Sequence, residues 1–282
     1  MPLAPVNGLD IYYEVHGQGD PLLLIMGTGS DHSLWHNQLE DFSKEFRCIV
    51  YDNRGTGKSS KPETGYSSRI LADDAAGLLD AIGIASAHVA GWSLGSVAGQ
   101  ELAISYPEKV RSLCLYSTWD RCYPHFRRRF ELQAEIAKLE RPDMLAAFAV
   151  FSLFSPSFLN EHGDVARGFE ERLYGGGDSS TPRTPVYVLL GHYGADIAHD
   201  ASDRLGRITA PTLIVVGAED PLTRPEYARA VHAKIRGSEL VTLEGADHML
   251  PLMAADRLNK VTLGFLRQQA GRLRRSETTG KV

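Results

Sequence analysis

The sharpest chemical signal in the chain is the segment Gly91-Trp-Ser-Leu-Gly95, in which a serine stands between two glycines at the spacing G-x-S-x-G. An apolar run, Ala87-His-Val-Ala90, precedes it, and small residues that suit a closely packed helix follow it. Such a strand–turn–helix presents the serine on a strained backbone, and the flanking glycines remove Cβ atoms that would collide with neighbouring elements. The alternative is a serine that only caps the helix of an ordinary loop. Because both flanking elements are present, we interpret Ser93 as a nucleophile.

A serine hydroxyl becomes nucleophilic only beside a general base, and that base needs a carboxylate to orient it. With this type of turn, the acid and then the histidine follow later in the chain, each just after a strand. Asp220 comes after the apolar run Pro211 to Gly217, and His248 is the only one of the 10 histidines that directly follows the last predicted strand. We expect these two residues to complete a Ser-His-Asp triad. Glu219 is the nearest alternative acid, and Asp120, after an earlier strand, is a more distant one.

Two backbone amides are expected to bind the negative charge that develops on a substrate carbonyl oxygen. One is the amide of Leu94, which follows the nucleophile at the start of a helix, where the helix dipole also favours an anion. The other is the amide of Thr28, in the loop Gly27-Thr-Gly29 after the second apolar strand. Glycines in this loop let the backbone approach a substrate closely. Gly27 is therefore also a predicted substrate contact.

The phenylalanines are concentrated in one part of the chain. Seven of the 10 fall between residues 121 and 195, which predicts an apolar roof over a pocket. We expect Phe126 and Phe151 to line that pocket, together with Trp92, whose place beside the nucleophile suits core packing equally well. This composition favours small apolar, cyclic or aromatic substrates. The seven residues are Phe126, Phe130, Phe148, Phe151, Phe154, Phe158 and Phe169.

Short apolar runs alternate with amphipathic segments of helical length before residue 120 and again after residue 210. Continuous apolar strands are typical of a parallel sheet that helices cover on both faces. The sequence therefore predicts an α/β fold with a mostly parallel central sheet. The predicted strands are Ile11–Val15, Pro21–Met26, Cys48–Tyr51, Ala87–Gly91, Val110–Tyr116, Pro211–Gly217 and Glu239–Leu243. The predicted helices are Ser67–Ile82, Leu94–Tyr106, Phe126–Leu139, Met144–Leu153, Pro225–Ile235 and Ala254–Arg267.

The alternation of strands and helices stops between residues 121 and 195, where helical segments dominate. We interpret this stretch as a helical cap inserted into a core that residues 1–120 and 196–270 form. Residues 175–180 are expected to be a loop, and residues 271–282 a polar, disordered tail.

The composition excludes several other classes of protein. Lys and Arg number 30 against 35 Asp and Glu, a formal net charge of −5, so the chain lacks the basic surface that nucleic-acid binding requires. Three cysteines are too few for a disulfide scaffold, and no segment has the roughly 18 uninterrupted apolar residues of a membrane span. The first 14 residues lack the pattern of a secretory signal. We expect a cytoplasmic monomer or homodimer with neither nucleic-acid nor membrane partners.

Two apparent cofactor motifs fail on spacing or residue type. Gly55-Thr-Gly-Lys-Ser59 is similar to a phosphate-binding loop, but Asp52 stands where that motif needs its first glycine, and a tight turn explains the segment instead. His32 and His36 are four residues apart, but Ser33 replaces the glutamate of a helical zinc motif. We expect no metal and no cofactor.

Taken with the triad, these motifs give a family resemblance: the chain resembles an α/β-hydrolase with a helical cap, from about Ile11 to Arg267. The segment Tyr51–Ser59 is similar to the family's D-x-R-G-x-G-x-S loop. Gly29–Trp35 resembles the corresponding loop of 3-oxoadipate enol-lactonases, and the cap resembles those enzymes and the aminoacrylate hydrolases of pyrimidine breakdown. Many relatives carry His-Gly where this chain has Met26-Gly27.

The ordered triad and the resemblance together predict a serine hydrolase that cleaves a small ester or lactone through an acyl-enzyme, and the phenylalanines favour an apolar substrate. In that reaction Ser93 attacks the carbonyl carbon, His248 transfers the proton and Asp220 orients the imidazole. Hydrolysis of C–N or C–C bonds and cofactor-free haloperoxidase or perhydrolase chemistry use the same scaffold, and fold and triad do not separate them. A ligand-binding protein with little turnover is a further alternative.

Overall fold

A computed structural model describes residues 2–175 and 183–279 of the chain, and its centre is an eight-stranded sheet. The strands are β1 (Leu3–Val6), β2 (Leu9–His16), β3 (Asp20–Ile25), β4 (Phe46–Tyr51), β5 (Ala87–Trp92), β6 (Val110–Tyr116), β7 (Thr212–Gly217) and β8 (Glu239–Leu243). They lie in the order β1-β2-β4-β3-β5-β6-β7-β8. The pairs β1–β2 and β2–β4 are antiparallel, and the other neighbours are parallel. The predicted α/β class with a mostly parallel sheet is therefore confirmed.

The central strands are buried on both faces. Every residue of β5 and β7 is buried, and the side chains of β3 alternate between two apolar clusters. Leu23 and Ile25 belong to one cluster, and Leu22 and Leu24 belong to the other. Because neither face of such a strand reaches water, polar residues at alternate positions would be costly. This burial explains the continuous apolar runs in the sequence.

Helices cover both faces of the sheet. The helices of the core are α1 (His36–Phe42), α2 (Ser68–Ala81), α3 (Leu94–Ser105), α9 (Pro225–His232), α10 (Leu250–Met253) and α11 (Ala255–Thr279). α2 and α3 pack against each other in the cluster that contains Leu23, whereas α1 and α11 contribute to the cluster that contains Leu22. No described helix is both long enough and apolar enough to cross a bilayer.

A set of helices lies between β6 and β7, where the sequence predicts a helical cap. They are α4 (Pro124–Lys138), α5 (Pro142–Leu153), α6 (Pro156–Glu161), α7 (Gly163–Gly175) and α8 (Val186–Ala198). α4 packs against α8, and α5 packs against α7. α8 ends at Ala198 rather than at the predicted cap boundary of residue 195.

Several elements differ from the sequence-based expectations. β1 has no counterpart among the predicted strands, because it has only four residues and they include Pro5. The structure accommodates this proline because β1 lies at the edge of the sheet. α11 occupies residues 271–279, where the polar composition predicts a disordered tail, and residues 280–282 lie outside the described residues. Of the predicted loop at 175–180, residue 175 ends α7 and the rest lies outside the described residues.

Candidate active site

Ser93 lies at the turn between β5 and α3, where the chain passes from strand to helix without an intervening loop. Its backbone dihedrals are φ 57° and ψ −123°. A non-glycine residue rarely adopts a positive φ, and the conformation costs roughly 1–3 kcal/mol. The Ser93 amide donates to the carbonyl of Tyr116 at 3.0 Å, and the amide and hydroxyl of Ser96 donate to the Ser93 carbonyl at 2.8 and 2.6 Å. The turn therefore has the strained strand–turn–helix geometry that the sequence predicts.

Gly91 and Gly95 allow this turn to pack against its neighbours. A Cβ atom on Gly91 would lie 2.2 Å from the carbonyl oxygen of Gly95, and a Cβ atom on Gly95 would lie 2.1 Å from the carbonyl oxygen of Ile25. Both distances are far below van der Waals contact, and backbone atoms do not move aside without shifting a whole element. Larger residues at these positions would displace Ser93, which explains the G-x-S-x-G spacing.

Asp220 follows β7 and is buried, with 3% of its surface exposed. Its Oδ1 accepts hydrogen bonds from the amides of Leu222 and Thr223, at 2.9 and 2.7 Å. Its Oδ2 accepts from the Thr223 hydroxyl at 2.6 Å and from His248 Nδ1 at 3.0 Å. These four donors satisfy a carboxylate that has no access to bulk water, and they fix its orientation toward the imidazole.

The loops that carry Asp220 and His248 meet at Gly217. A Cβ atom on Gly217 would lie 2.4 Å from the carbonyl oxygen of Ala246, and the amide of Glu219 donates to that same carbonyl at 2.9 Å. His248 is only 2% exposed. Because Nδ1 donates to the carboxylate, Nε2 is the ring nitrogen that remains for proton transfer.

Trp92 connects the turn at Ser93 to the loop of His248. Its indole Nε1 donates to the His248 carbonyl at 3.1 Å, and the indole and imidazole centroids are 6.2 Å apart. Trp92 is 4% exposed and packs edge-to-face against Trp35. The side chain therefore positions the histidine loop. Its contact with a substrate stays a prediction.

Through its bond to His248, Trp92 holds the chain at Ser93 and the loop of His248 at the same edge of the sheet. Among the described residues, no hydrogen bond joins the Ser93 hydroxyl to His248. Gly27 lies directly beside the serine. A Cβ atom at this glycine would lie 3.1 Å from Ser93 Cβ and 3.7 Å from Ser93 Oγ. The loop predicted to bind the oxyanion is therefore adjacent to the predicted nucleophile.

The two predicted oxyanion donors lie in different elements. Leu94 is the first residue of α3, so its amide has no acceptor within the helix. Thr28 is anchored through its side chain, because Oγ1 donates to Asp196 Oδ2 of α8 at 2.8 Å. The amide of Gly29 donates to His192 Nδ1, also of α8, at 3.0 Å. The cap thus holds the loop in place, and the binding of an oxyanion by Thr28 and Leu94 stays a prediction.

Two further side chains support this loop. Burial lowers the pKa of His192 to about 4, so its ring is neutral near pH 7. Nε2 donates to the Arg54 carbonyl at 3.2 Å, which leaves Nδ1 to accept the hydrogen bond from the Gly29 amide. Asn53 Nδ2 donates to the carbonyl of Met26 at 2.8 Å. Asn53 occupies the variable position of the D-x-R-G loop, so the sequence pattern does not mark it. No local pattern marks His192.

Comparison with known proteins identifies the family. The sequence pattern of the alpha/beta hydrolase fold matches residues 20–254, which is most of the chain. This protein is an α/β-hydrolase. The predicted resemblance is confirmed, and with it the prediction that the chain is an enzyme of the hydrolase class.

This α/β-hydrolase is similar to several proteins over almost its full length. It is 32% identical to the putative carbamate hydrolase RutD of Azorhizobium caulinodans, over 94% of this chain and 98% of that protein. Its structure is similar to MGS-M2, an alpha/beta hydrolase from a Medee basin deep-sea metagenome library, with a TM-score of 0.87, 26% identity and coverage of 94% of this chain and 97% of that one. It is also similar to the enol-lactonase of Burkholderia xenovorans LB400, with a TM-score of 0.84, 26% identity and coverage of 94% and 100%.

The two alternative acids of this α/β-hydrolase have other partners. Glu219 is exposed and accepts a hydrogen bond from the Ser157 hydroxyl of α6. Asp120 forms an ion pair with Lys234, with 2.6 Å between Oδ2 and Nζ. Neither interaction involves a histidine, whereas Asp220 contacts the imidazole directly. The geometry therefore favours Asp220 over both alternatives.

The cap phenylalanines pack mainly as structural residues. Phe126 is fully buried, with its ring centroid 4.7 Å from that of Trp119 and 4.8 Å from that of Phe130. Phe151 is 72% exposed on α5. Neither position supports the predicted pocket-lining role. The abundance of phenylalanine in this stretch is explained by packing of the cap helices on one another and on the core.

Asp31, His32 and Asp52 form a group of three potential metal ligands. His32 Nδ1 donates to Asp52 Oδ1 at 2.6 Å, and the other oxygen of Asp52 accepts from the Lys58 amide at 2.8 Å. A Cβ atom on Gly57 would lie 2.1 Å from the same carboxylate. Asp52 thus closes the tight turn that the sequence predicts, and these hydrogen bonds account for the cluster.

Proposed function

We propose that this α/β-hydrolase is a serine hydrolase that cleaves a small carboxylic ester or lactone through an acyl-enzyme. The observation that carries the proposal is the buried hydrogen bond of 3.0 Å between His248 Nδ1 and Asp220 Oδ2, close to a strained serine turn. Nucleophilic catalysis by serine requires an imidazole that a carboxylate orients, and His248 meets that requirement. Positive φ at a non-glycine residue is concentrated at functional sites, which supports a catalytic role for Ser93.

Acylation begins when Ser93 Oγ attacks the carbonyl carbon of the substrate and His248 Nε2 accepts the hydroxyl proton. The carbonyl π electrons move to oxygen and give a tetrahedral oxyanion. When this intermediate collapses, the bond to the leaving oxygen breaks. The leaving oxygen takes the proton from His248 and departs as an alcohol, or as the hydroxyl end of an opened lactone.

Asp220 holds the imidazole in the tautomer with hydrogen on Nδ1, which leaves the Nε2 lone pair free for the serine proton. The amides of Leu222 and Thr223 fix the carboxylate in turn. A hydrogen bond between nucleophile and base is often long in a free enzyme and tightens when substrate binds. That no hydrogen bond joins Ser93 and His248 among the described residues is therefore consistent with the proposal.

The amides of Thr28 and Leu94 would stabilise the oxyanion, and one such donor is typically worth about 3–4 kcal/mol of barrier. This stabilisation is effective only if the donors are in place before the reaction. The bonds from Thr28 to Asp196 and from Gly29 to His192 supply that rigidity.

Deacylation repeats the sequence with water as the nucleophile. His248 Nε2 takes a proton from water while the oxygen attacks the acyl carbon, and the bond to Ser93 Oγ then breaks. Ser93 recovers its proton from the imidazolium, and the carboxylic acid product leaves. Phe126 packs in the core and Phe151 faces solvent, so neither of them supports a preference for apolar substrates.

The first test uses Ser93→Ala with p-nitrophenyl acetate, p-nitrophenyl butyrate and a small lactone. We expect kcat to fall by roughly 10⁴-fold or more. A fluorophosphonate should label the wild-type chain once, at Ser93. Ser157→Ala is the control, since this serine is exposed on the cap. Retention of full activity by Ser93→Ala, or labelling at another residue, would exclude the proposed mechanism.

The second test distinguishes Asp220, the predicted triad acid, from the alternative acid Asp120. Asp220→Asn should lower kcat by roughly 10³–10⁴-fold, since an amide no longer selects the productive imidazole tautomer. Asp120→Asn is the matched control: it breaks an ion pair with Lys234 and should leave kcat near the wild-type value. A greater loss in Asp120→Asn than in Asp220→Asn would reassign the acid.

A second candidate function is hydrolysis of a carbamate at its C–N bond. The observation in its favour is the 32% identity to a putative carbamate hydrolase across 94% of this chain. A carbamate offers Ser93 the same carbonyl carbon, and His248 would protonate the departing amine. Ethyl carbamate is compared with ethyl propionate, which is similar in size, and the acyl group left on Ser93 is identified by mass spectrometry of the quenched enzyme. Cleavage of the C–N bond releases ammonia and leaves an ethoxycarbonyl group, whereas cleavage of the C–O bond releases ethanol and leaves a carbamoyl group. A higher kcat/KM for the carbamate together with an ethoxycarbonyl group on Ser93 would replace the ester or lactone assignment.

A further inference from the structure

Three buried polar atoms of the cap have no hydrogen-bond partner among the described residues. They are Arg129 Nε and Gln133 Oε1 of α4, and Asp196 Oδ1 of α8. Asp196 is 0% exposed and Gln133 is 7% exposed. Buried polar atoms in folded proteins normally have hydrogen-bond partners, because leaving them unpaired is costly. Three such atoms on two neighbouring helices of the cap are unusual and require an explanation.

The three atoms belong to one contact between two helices. Arg129 and Gln133 are four residues apart, so they lie on the same face of α4, and Tyr193 and Asp196 are three apart on the facing side of α8. α4 and α8 pack directly against each other, with the Phe130 and Tyr193 ring centroids 5.7 Å apart. Arg129 lowers the pKa of Asp196, and Asp196 raises the pKa of Arg129, so these two side chains lie near each other.

This contact flanks the candidate active site. The other carboxylate oxygen of Asp196 accepts the hydrogen bond from Thr28 Oγ1 at 2.8 Å, and Thr28 is the predicted oxyanion donor. Arg129 is also close enough to Asp220 for the aspartate to raise the arginine's pKa, against the larger effect of burial. The unpaired atoms therefore lie next to the reacting centre.

The unpaired atoms have different hydrogen-bonding capacities. Arg129 Nε–H can only donate. Gln133 Oε1 can only accept, because an amide oxygen carries no hydrogen. Burial raises the pKa of Asp196 to about 8 and lowers that of Arg129 to about 10, so near pH 7 the acid is neutral and the arginine is charged.

We propose that Arg129, Gln133 and Asp196 form a specificity subsite for a planar amide group, carried on the part of the substrate that is not cleaved. The amide oxygen accepts from Arg129 Nε, and the amide N–H donates to Gln133 Oε1. From α8, the protonated Asp196 Oδ1 donates a second hydrogen bond to the amide oxygen. The proposal rests on the proposed function in one respect, since the amide belongs to a molecule whose ester or lactone carbonyl reaches Ser93.

A carboxylate fits the three atoms less well. It could accept from Arg129 and from the protonated Asp196, but it has no hydrogen to donate, so Gln133 Oε1 would remain unpaired and buried. An apolar group would leave all three atoms unpaired. An amide offers a donor and an acceptor side by side in one rigid plane.

The experiment uses three methyl esters of equal chain length that end in a carboxamide, a carboxylate or an isopropyl group. The isopropyl group has the shape of the carboxamide without its polar atoms. We expect the wild-type enzyme to favour the carboxamide over the isopropyl ester by roughly tenfold or more in kcat/KM. A higher kcat/KM for the carboxylate would make the subsite an anion site and overturn the assignment, and equal values for all three would exclude a subsite.

Variants test the named residues. Arg129→Met and Gln133→Met replace each side chain by an unbranched apolar one and remove the donor or the acceptor, so the carboxamide preference should fall to about one. Arg128→Met is the matched control, since Arg128 lies on the same helix with its side chain 80% exposed. Loss of the preference in Arg128→Met, or its retention in both other variants, would overturn the proposal.

Binding to Ser93→Ala distinguishes this proposal from the proposed function. Calorimetry of the same three esters with that variant reports the subsite without any turnover. Tighter binding of the carboxamide with no hydrolysis by the wild type would sustain the subsite and reject the ester hydrolase. Hydrolysis by the wild type with equal dissociation constants for the three esters would do the reverse.

Discussion

The Trp92 indole donates a hydrogen bond of 3.1 Å to the backbone carbonyl of His248, a residue 156 positions further along the chain. The bond joins the strand that ends at the predicted nucleophile to the loop that carries the predicted base. Donor and acceptor are both buried, so water does not replace the bond when it is lost. The position of the imidazole relative to Ser93 therefore depends on the side chain at position 92.

We expect Trp92→Phe to lower stability and kcat together. The substitution leaves the buried His248 carbonyl unpaired, at a cost of about 1–3 kcal/mol, and frees the loop that carries the base. Trp35→Phe is a matched control, because Trp35 is fully buried against Trp92 while its own Nε1 has no partner among the described residues. Urea unfolding and steady-state kinetics measure both effects. Equal losses of kcat in the two variants would show that aromatic volume, not the hydrogen bond, matters.

Gly27→Ala should impair catalysis without unfolding the chain. The new Cβ atom would lie 3.1 Å from Ser93 Cβ and 3.0 Å from the Trp92 carbonyl oxygen, so the serine or the loop must shift by a few tenths of an ångström. Small displacements of a reacting group can reduce rates by about tenfold to a hundredfold. Gly168→Ala is the control, since a Cβ atom there meets nothing within 4 Å. A kcat/KM for Gly27→Ala equal to that of wild type would contradict the close packing.

The three residues of the predicted triad could be chosen from sequence because each follows a strand of the parallel part of the sheet. All such strands end at the same edge, so a residue's place just after a strand is enough to bring Ser93, Asp220 and His248 to one side of the molecule. The glycines at 91 and 95 add a local signal of close packing. The strands themselves could be predicted because burial on both faces makes them continuously apolar.

The cap could not be predicted to the same degree. α5 has apolar residues on all sides, so its sequence does not indicate which face is covered, and Phe151 proves to be 72% exposed. α8 begins with Val186-Tyr-Val188 and contains two glycines, a composition that does not favour a helix. Asp196 bonds to Thr28 across 168 positions, a tertiary contact without any local pattern.

Arg54 of the D-x-R-G loop forms a buried ion pair with Asp74, and removal of this pair tests how much it contributes to stability. Arg54 Nε and Nη2 donate to the two carboxylate oxygens of Asp74 at 2.5 and 2.7 Å, and both side chains are buried. Asp74→Ala should destabilise the fold by about 3–5 kcal/mol, because it leaves a buried guanidinium without its counter-charge. The neighbouring Asp73→Ala breaks a more exposed pair with Arg69 and should cost about 1 kcal/mol or less. Similar unfolding midpoints for the two variants would refute the difference in burial.

Asp196 should make stability depend on pH in the opposite direction from most carboxylates. Burial raises its pKa to about 8 in the folded chain, against about 4 in the unfolded chain, although the Thr28 hydrogen bond and Arg129 both oppose the rise. Between these values the folded state binds a proton that the unfolded state has released. The free energy of unfolding that Asp196 contributes therefore falls as the pH rises from about 4 to about 8.

Asp196→Asn removes this titration while its side-chain oxygen can still accept from Thr28. The difference in unfolding free energy between wild type and Asp196→Asn should decrease steadily from about pH 4 to about pH 8 and be flat above that range. Asp200→Asn is the control of opposite sign: a hydrogen bond from Ser202 lowers the pKa of this more exposed aspartate, so its contribution is lost only as the pH falls into the acid range. Urea titrations at intervals between pH 4 and pH 9 measure both. A pH-independent difference for Asp196→Asn would mean that this carboxyl group is ionised in the folded chain, and Arg129 would then face a negative charge rather than a neutral acid.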